Sequence, residues 1–560
     1  MAISKISPNI NVFEFDYSAS NPTVEPFSTC MVGQFIWGPC FQRKQITTEA
    51  ELVAYFGKPN EDNYEEFFNA QRYLSYTNNL WIVRTVDADT AKNAGIQCTD
   101  DTYGSNTLPL TANPYIPNTL TTVSNSFDTH EKLRIVAKYP GTFGNTKIKI
   151  ALANATDFPT ADINDSYSFK GVFEYAPTVH ATYDYYDQVA IVVQVQNTFD
   201  DNWTIVEKFV VDLDPTAKNA FKKSNYIENI INTQSKYIYV YDNTDLLVMP
   251  NSFEETYLTG GVDSTASTAD YELAYDYYAN AEEFPVRYIM DANNNSVTIQ
   301  KYIVSLLETR LDCFGILCIP KDQFLNVDLS TAVNNAVTYR NTTLASNTSY
   351  ASLYGNAAYV FDKYNDKYRW ISLSGDVAGI IVLTNLRKNI WDVPAGRDIQ
   401  LQNVERLAIE PNLAYRDEFY INNINPIITI SGEGIQLFGE KTLQNFSSSF
   451  DRINVRLLFL EMEQTIKKTA RGTLFKINND FQRNLFKLSI IPYLEQIEAA
   501  GGIYEFKVLC DETNNTAQVI DTHNFVVDIY IKPAMSIEII NINFTAVGSG
   551  IAISEIIASK

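Results

Sequence analysis

The sequence predicts a multidomain α/β protein with a strand-rich insertion. Three observations lead there. The chain has 560 residues, beyond the ~250–300 at which a single hydrophobic core stops growing. Strand and helix patterns alternate in two separate stretches, as in a sheet covered by helices. Between those stretches strands dominate almost alone. Abundant Tyr (35) and Phe (32) favour strands and large apolar contact surfaces.

Residues 1–26 have no helical period and read as an N-terminal arm. Their apolar residues alternate weakly at Ile10, Val12, Phe13 and Phe15 before a polar segment with Pro22 and Pro26. That pattern suits a strand added to a sheet edge. Residues 27–86 form an α/β part of the core. STCMVGQFIWG reads as a strand ending on Gly38-Pro39, and FQRKQIT as a second. Thr47 or Thr48 caps a helix, EAELVAYFG, which stops at Gly57 with Pro59 beyond. A helix, EEFFNAQRYLSY, then leads into the strand LWIVRTV.

Residues 87–255 form the β-rich insertion. KLRIVAKY, KIKIALA, YDQVAIVVQVQ, TIVEKFVVDL and SKYIYVYD are strands set apart by polar, Gly-containing turns, with one helix near the end. Residues 256–430 return to α/β alternation: helix DYELAYDYYA, strand VRYIMD, helix SVTIQKYIVSLLETRL, strand FGILCIP. A partly parallel sheet is expected. Residues 431–535 form an α+β C-terminal domain. Its first helix spans 449–473, capped at Ser449, with Ile453, Leu457, Leu460 and Gln464 on one face and Val455, Phe459 and Met462 beside them. A second helix, 480–499, ends at Gly501-Gly502. The strands IYEFKVLCD and NFVVDIYIKP follow, and residues 536–560, opening with SIEIININFTAV, form a C-terminal arm.

The charge balance narrows the partners. With 43 Lys+Arg against 66 Asp+Glu, net −23, the molecule as a whole is a poor candidate for binding nucleic acid or anionic membranes, which need positive potential. No apolar run approaches the ~18 residues that a bilayer requires, and the first residues show no signal-peptide core. The six cysteines are scattered without C-x-x-C spacing, as expected of small buried hydrophobes in a reducing cytoplasm. Against this acidity, 449–490 holds eight basic residues (Arg452, Arg456, Lys467, Lys468, Arg471, Lys476, Arg483, Lys487) and four acidic ones (Asp451, Glu461, Glu463, Asp480). They make either a docking face for an acidic partner or a solvated face laced with pairs such as Glu463–Lys467.

Catalytic patterns are missing. The three histidines, His130, His180 and His523, are far apart in sequence. There is no zinc spacing, no G-x-S-x-G elbow and no phosphate loop. Gly432-Glu433-Gly434 falls short of a dinucleotide fingerprint because Leu437 stands where the third glycine belongs, so a turn is expected. Asp511-Glu512 reads as a solvated turn. No catalytic residue, cofactor or metal is expected. A hydrolase on an α/β scaffold would need a nucleophile–His pair that the sequence does not offer. Tyr183, Tyr185, Tyr186 and Trp203 form either a sugar platform or packing within a core or interface.

Several short segments carry a resemblance. In order they are FGKP (56–59), LWIVRTV (80–86), AKYPGTFGN (137–145, with Phe143 where Trp is commoner), LTGGVD (258–263) and WDVPAG (391–396, with Val393 for the usual Ala). INVRLLFLEMEQTIKKTARGTLF (453–475) and GGIYEFKVLCDETNNT (501–516) are the strongest. Together they resemble the contractile tail sheath family of phages, tailocins and extracellular injection systems. ISLSGDVAG (371–379) departs from the Pro-rich lead-in usual there, which leaves the form of the local loop open.

The resemblance implies an α/β core of subtilisin-like topology without catalysis, an outward-facing β domain, and a C-terminal domain that faces a tube and links subunits. It implies a helical homopolymer of hexameric rings in a virion tail, assembled in the host cytoplasm. The implied partners are the tail tube, baseplate and tail terminator proteins. Subunits would be joined by strand exchange. The donors are Ile10, Val12, Phe13 and Phe15 in one arm and Ile537, Ile539, Ile540, Ile542 and Phe544 in the other. The acceptor carries Tyr504, Phe506, Val508, Phe525, Val527, Ile529 and Ile531, and Lys467, Lys468 and Arg471 face the tube.

Overall fold

The computed structural model describes residues 28–100, 105–116, 127–196, 202–219, 221–292 and 296–538. It divides into two compact units, Met1–Arg456 and Leu457–Lys560.

An eight-stranded sheet organises the first unit. Its order is Arg43–Ile46, Leu80–Arg84, Thr29–Gly33, Tyr288–Met290, Phe314–Cys318, Ala351–Gly355, Asn425–Ile430, Gly434–Leu437. The six inner strands are parallel, and only the two edge strands run antiparallel. Strands such as Thr29–Gly33 and Phe314–Cys318 are buried throughout, because helices cover both faces of such a sheet. Ile289 joins a core with Tyr275, Ile303 and Leu307 from helices Thr268–Asp276 and Val297–Arg310. Its neighbour Tyr288 points the opposite way and is hydrogen-bonded by Asn385 of helix Ser374–Arg387.

Local chemistry sets these elements. Thr48 is the N-cap of helix Glu49–Phe56: its hydroxyl accepts from the Glu51 N–H at 3.2 Å, while the Glu51 carboxylate accepts from the Thr47 N–H at 2.8 Å. The strand expected over STCMVGQFIWG ends early, at Gly33, and the following residues bend toward the insertion. SGDVAG is not a loop. It opens helix Ser374–Arg387, which packs on helix Tyr64–Tyr76. The crossing is too close for side chains at two positions. A Cβ on Gly375 would lie 2.0 Å from the Asn69 carbonyl oxygen, and one on Gly379 2.5 Å from the Tyr76 ring. Asn69 bridges the helices, accepting from the Ser374 hydroxyl (3.0 Å) and the Gly375 N–H (2.9 Å).

Beside this crossing, Asp376 is buried and paired with Arg72, whose Nη2 donates to Oδ1 at 2.7 Å; the Tyr76 hydroxyl donates to the same oxygen at 2.9 Å. Glu66, in the first turn of helix Tyr64–Tyr76, is buried with neutral donors alone, its own backbone N–H and the Tyr271 hydroxyl at 3.0 Å. Burial pushes its carboxyl up to about 7. A carboxyl raised in the folded state contributes stability that is present below the ordinary glutamate range and lost as pH rises through about 7. Glu66→Gln keeps the Tyr271 bond and removes the ionisation. It should therefore unfold at higher temperature than the parent at pH 8, by about 3 kcal/mol of stability. The difference should vanish near pH 4 in thermal melts across that range.

The insertion builds two four-stranded antiparallel sheets. One runs Trp203–Asp212, Gln188–Gln196, Ile148–Asn154, Phe253–Tyr257; the other runs Ile238–Asp242, Glu131–Ala137, Gly95–Thr99, Thr107–Pro109. Their inward residues, including Ile96, Ile135, Ile150, Ile191 and Val240, share one core, which helix Ile227–Gln234 completes through Ile227 and Ile231. Trp37, from the α/β part, joins that core and stacks on Phe143 at 4.7 Å.

Arg84 closes the seam between sheet and insertion. Its buried guanidinium donates to the carbonyls of Phe35 (2.7 Å), Gly38 (2.8 Å) and Pro140 (2.9 Å). Asn145 and the Gly261 backbone exchange two hydrogen bonds, at 2.7 and 2.8 Å, and the Asp263 carboxylate accepts from the Thr142 N–H at 2.9 Å. Gly141 has φ +128°, and a Cβ there would meet Asp263 and the Ile36 carbonyl. LWIVRTV, AKYPGTFGN and LTGGVD thus meet at one joint.

Candidate functional site

The acceptor predicted from sequence is a two-stranded antiparallel sheet, Ile503–Leu509 with Asp528–Pro533. Among the described residues no third strand pairs with either outer edge. Phe506 lies opposite Ile531 and Val508 opposite Ile529; directly opposed residues share a face. That face meets helix Asp480–Ala499. One expectation needs correction. Phe525 and Val527 precede the strand, which begins only at Asp528; there Phe525 packs edge-on against Phe486 at 5.6 Å. Tyr504 lies within the first strand, where a register shift between Ile503 and Glu505 buries Ile503 and exposes Tyr504. Asn515 ties the loop between the strands, donating to and accepting from the Val526 backbone at 2.8 and 2.9 Å.

Of the donors, Ile537 is described and exposed, lying past the strand end at Pro533. Ile10, Val12, Phe13, Phe15, Ile539, Ile540, Ile542 and Phe544 lie outside the described residues.

The long helix begins later than expected. Ser449–Asp451 is a separate tight turn capped by the Ser448 hydroxyl, and the helix runs Ile453–Arg471. Not every basic residue belongs to a solvent face. Arg456 is buried, its guanidinium over the rings of Phe450 (4.0 Å) and Tyr350 (4.3 Å). Arg483 is buried and paired with Asp480. What stays exposed is Lys467, Lys468, Arg471 and Lys476, in and just past the helix's last turns. Cations there also complement the helix dipole.

Sequence reading missed an apolar stripe on helix Asp480–Ala499. The helix buries Phe486, Ile490, Leu494 and Ile497. Yet Phe481, Leu485 and Leu488 are 70%, 46% and 67% exposed on the opposite face, and Leu474, Phe475 and Ile477 just before the helix are exposed too. A helix apolar on two faces is built to be covered on both. The signal was present in sequence as an excess of apolar positions over one stripe.

The tyrosine cluster holds together without its tryptophan. Tyr183 stacks on Tyr185 at 5.2 Å, and Tyr185 meets Tyr186 at 4.6 Å. Trp203 instead sits across from Gln196 at the far end of the strand pair, whose other end is Gln188 opposite Asp212. That separation is about 25 Å at strand rise. There Trp203 meets Tyr257 edge-on and Lys149 lies over its ring. No single sugar platform joins all four. The Gly432–Gly434 segment is the expected turn, linking strands Asn425–Ile430 and Gly434–Leu437.

Comparison with known proteins agrees with the motif pattern. Residues 446–546 match the family model described as the phage tail sheath C-terminal domain. The tail sheath protein of Enterobacteria phage T4 is 30% identical, over 98% of this chain and 99% of that protein. The tail sheath protein of Vibrio phage KVP40 is 30% identical over 99% of each. Among solved structures, the sheath tail protein of Listeria innocua shares the fold at a TM-score of 0.55 and 11% identity, over 93% of this chain and 94% of that one. That of Desulfitobacterium hafniense does so at 0.53 and 12%, over 93% and 100%. With near-complete coverage at this identity, the chain belongs to the tail sheath protein family.

Proposed function

We propose that this chain is the repeating subunit of a contractile sheath, a helical homopolymer of hexameric rings around a tail tube, joined through β-strands exchanged by its two arms. The observation that carries the reading is the small sheet Ile503–Leu509/Asp528–Pro533. A two-stranded sheet is marginal alone, and unpaired edge groups are templates for further strands. The arms 1–26 and 536–560 supply apolar alternation of the right kind. In this scheme the first unit holds a core of subtilisin-like topology without catalysis, built from 27–86 and 256–430. The insertion, 87–255, faces outward, and 431–535 faces the tube and links neighbours. Baseplate and terminator proteins bound the polymer.

Contraction needs no nucleotide on this reading. The extended state is metastable, and better packing between subunits in the short, wide state drives the change while the strand links persist. Negative-stain microscopy of the purified protein tests the class: striated tubes are expected, and dispersed monomers at high concentration would refute it. Lys467, Lys468 and Arg471 are the proposed tube-facing cations, and the apolar stripe of Phe481, Leu485 and Leu488 is a second exposed surface of the same unit. Reversing the three cations to Glu should impair assembly on tubes more than spontaneous polymerisation, compared by sedimentation. Equal effects on both would assign those residues to the fold alone.

A further inference from the structure

The three-stranded sheet Lys367–Ile371, Ala358–Asp362, Arg406–Leu407 carries aromatic rings on the face that should be polar. Its inward face buries Ala358, Val360, Ile371 and Leu407 and ends in a charged pair: Asp362 is fully buried and accepts from Arg369 Nε at 2.7 Å, and Arg369 reaches on to Glu61 at 2.8 Å. Its outward face carries Tyr359, Phe361, Tyr368 and Trp370, of which Trp370 also packs against the core of the α/β unit. Tyr359 lies opposite Trp370, and Phe361 opposite Tyr368. The rings form one continuous surface, with centroids 5.2 Å apart for Tyr359–Tyr368, 4.8 Å for Tyr359–Trp370 and 5.2 Å for Phe361–Tyr368. Arg406 lies over Tyr359 (4.9 Å) and Trp370 (5.4 Å). Phe361 and Tyr368 remain 49% and 48% exposed.

An antiparallel sheet with one solvated face normally alternates apolar-in and polar-out. Cross-strand aromatic pairs stabilise a small sheet, but that accounts for one pair, not for a face with no small polar residue. Tyr, Trp and Arg together are the residues that dominate binding at protein interfaces. We propose that this aromatic face is an interface between sheath subunits, docking on a different surface of a second copy of this chain. Charge identifies the occupant. Arg406 is exposed and pairs with no carboxylate among the described residues, and a chain of net charge −23 presents carboxylates to whatever docks on it. A contact between two unlike patches is also the kind that propagates a helical polymer.

The inference rests on the polymeric reading, and the test separates the two. The critical concentration for spontaneous polymerisation is measured by light scattering for the parent, Tyr368→Thr and Arg406→Glu, with melting temperature as the check on folding. The parent forms tubes, which fulfils the polymeric reading by itself. Each variant is expected to melt within a few degrees of the parent and to raise the critical concentration at least tenfold. Unchanged critical concentrations in a polymerising parent overturn the inference alone. Loss of assembly only on preformed tubes, with spontaneous polymerisation intact, also overturns it and assigns the face to the tube. If Tyr368→Thr fails to fold, Arg406→Glu decides the matter, because its side chain is exposed and leaves the hairpin's backbone pairing untouched.

Discussion

Deleting residues 1–20 is expected to yield a folded, soluble monomer that forms no sheath at any concentration the parent needs. The deletion removes Ile10, Val12, Phe13 and Phe15, the apolar alternation of the first arm. It leaves untouched the sheet, the insertion and the C-terminal hairpin, all of which lie after residue 27. One donated strand would form ~4–6 backbone bonds at roughly 0.5–1.5 kcal/mol each, a few kcal/mol per link. A single link of that size is weak, but a mesh of them is multivalent and its loss is close to all-or-none. Sedimentation velocity and negative-stain microscopy read the outcome. Normal sheaths from the truncated chain would end the strand-exchange account, while leaving family membership intact.

Asp376→Ala should be the most damaging point substitution in the α/β unit, at about 3–5 kcal/mol. It leaves the Arg72 guanidinium buried without its carboxylate, and only the Gln402 and Asn403 carbonyls remain as acceptors. It also strips the Tyr76 hydroxyl of its acceptor, leaving only the Gln402 N–H that donates to it at 2.9 Å. The double variant Arg72→Leu/Asp376→Leu should recover much of the loss, because two apolar groups replace the pair without stranding a charge. Urea unfolding of the two singles and the double gives the coupling energy. A single Asp376→Ala loss below about 1 kcal/mol would mean that water reaches Arg72, contrary to its burial.

The parts of the fold legible in sequence are those where period and burial agree. Phe314–Cys318 and Leu80–Arg84 read as strands because continuous apolar runs bounded by polar residues mark an inner parallel strand. Helix Asp480–Ala499 was legible to within its caps, since Asn479 and the two glycines after it are strong boundary residues. The hairpin 358–371 was not legible, because aromatic residues on its outward face and a charged pair at one end of its buried face erase the contrast by which alternation marks a strand. Helix Ser374–Arg387 looked like a loop because the glycines that let it approach helix Tyr64–Tyr76 are residues that usually break helices. At the C-terminal hairpin, the two strands were legible as apolar-rich runs on either side of a polar turn, but not which residues share a face. The irregularity before Glu505 sets that at Tyr504, since a bulge shifts parity without changing composition.

The clamp around Arg84 has a bearing on how such proteins diversify. Its three oxygen partners are all peptide carbonyls, from Phe35, Gly38 and Pro140. Peptide carbonyls are common to every amino acid, so this clamp constrains the path of the chain, and only Asn145, Asp263 and Gly141 beside it fix particular residues. The β insertion can therefore be rewritten or enlarged beyond this junction while the arginine and the neighbouring tight turns still hold it to the same scaffold.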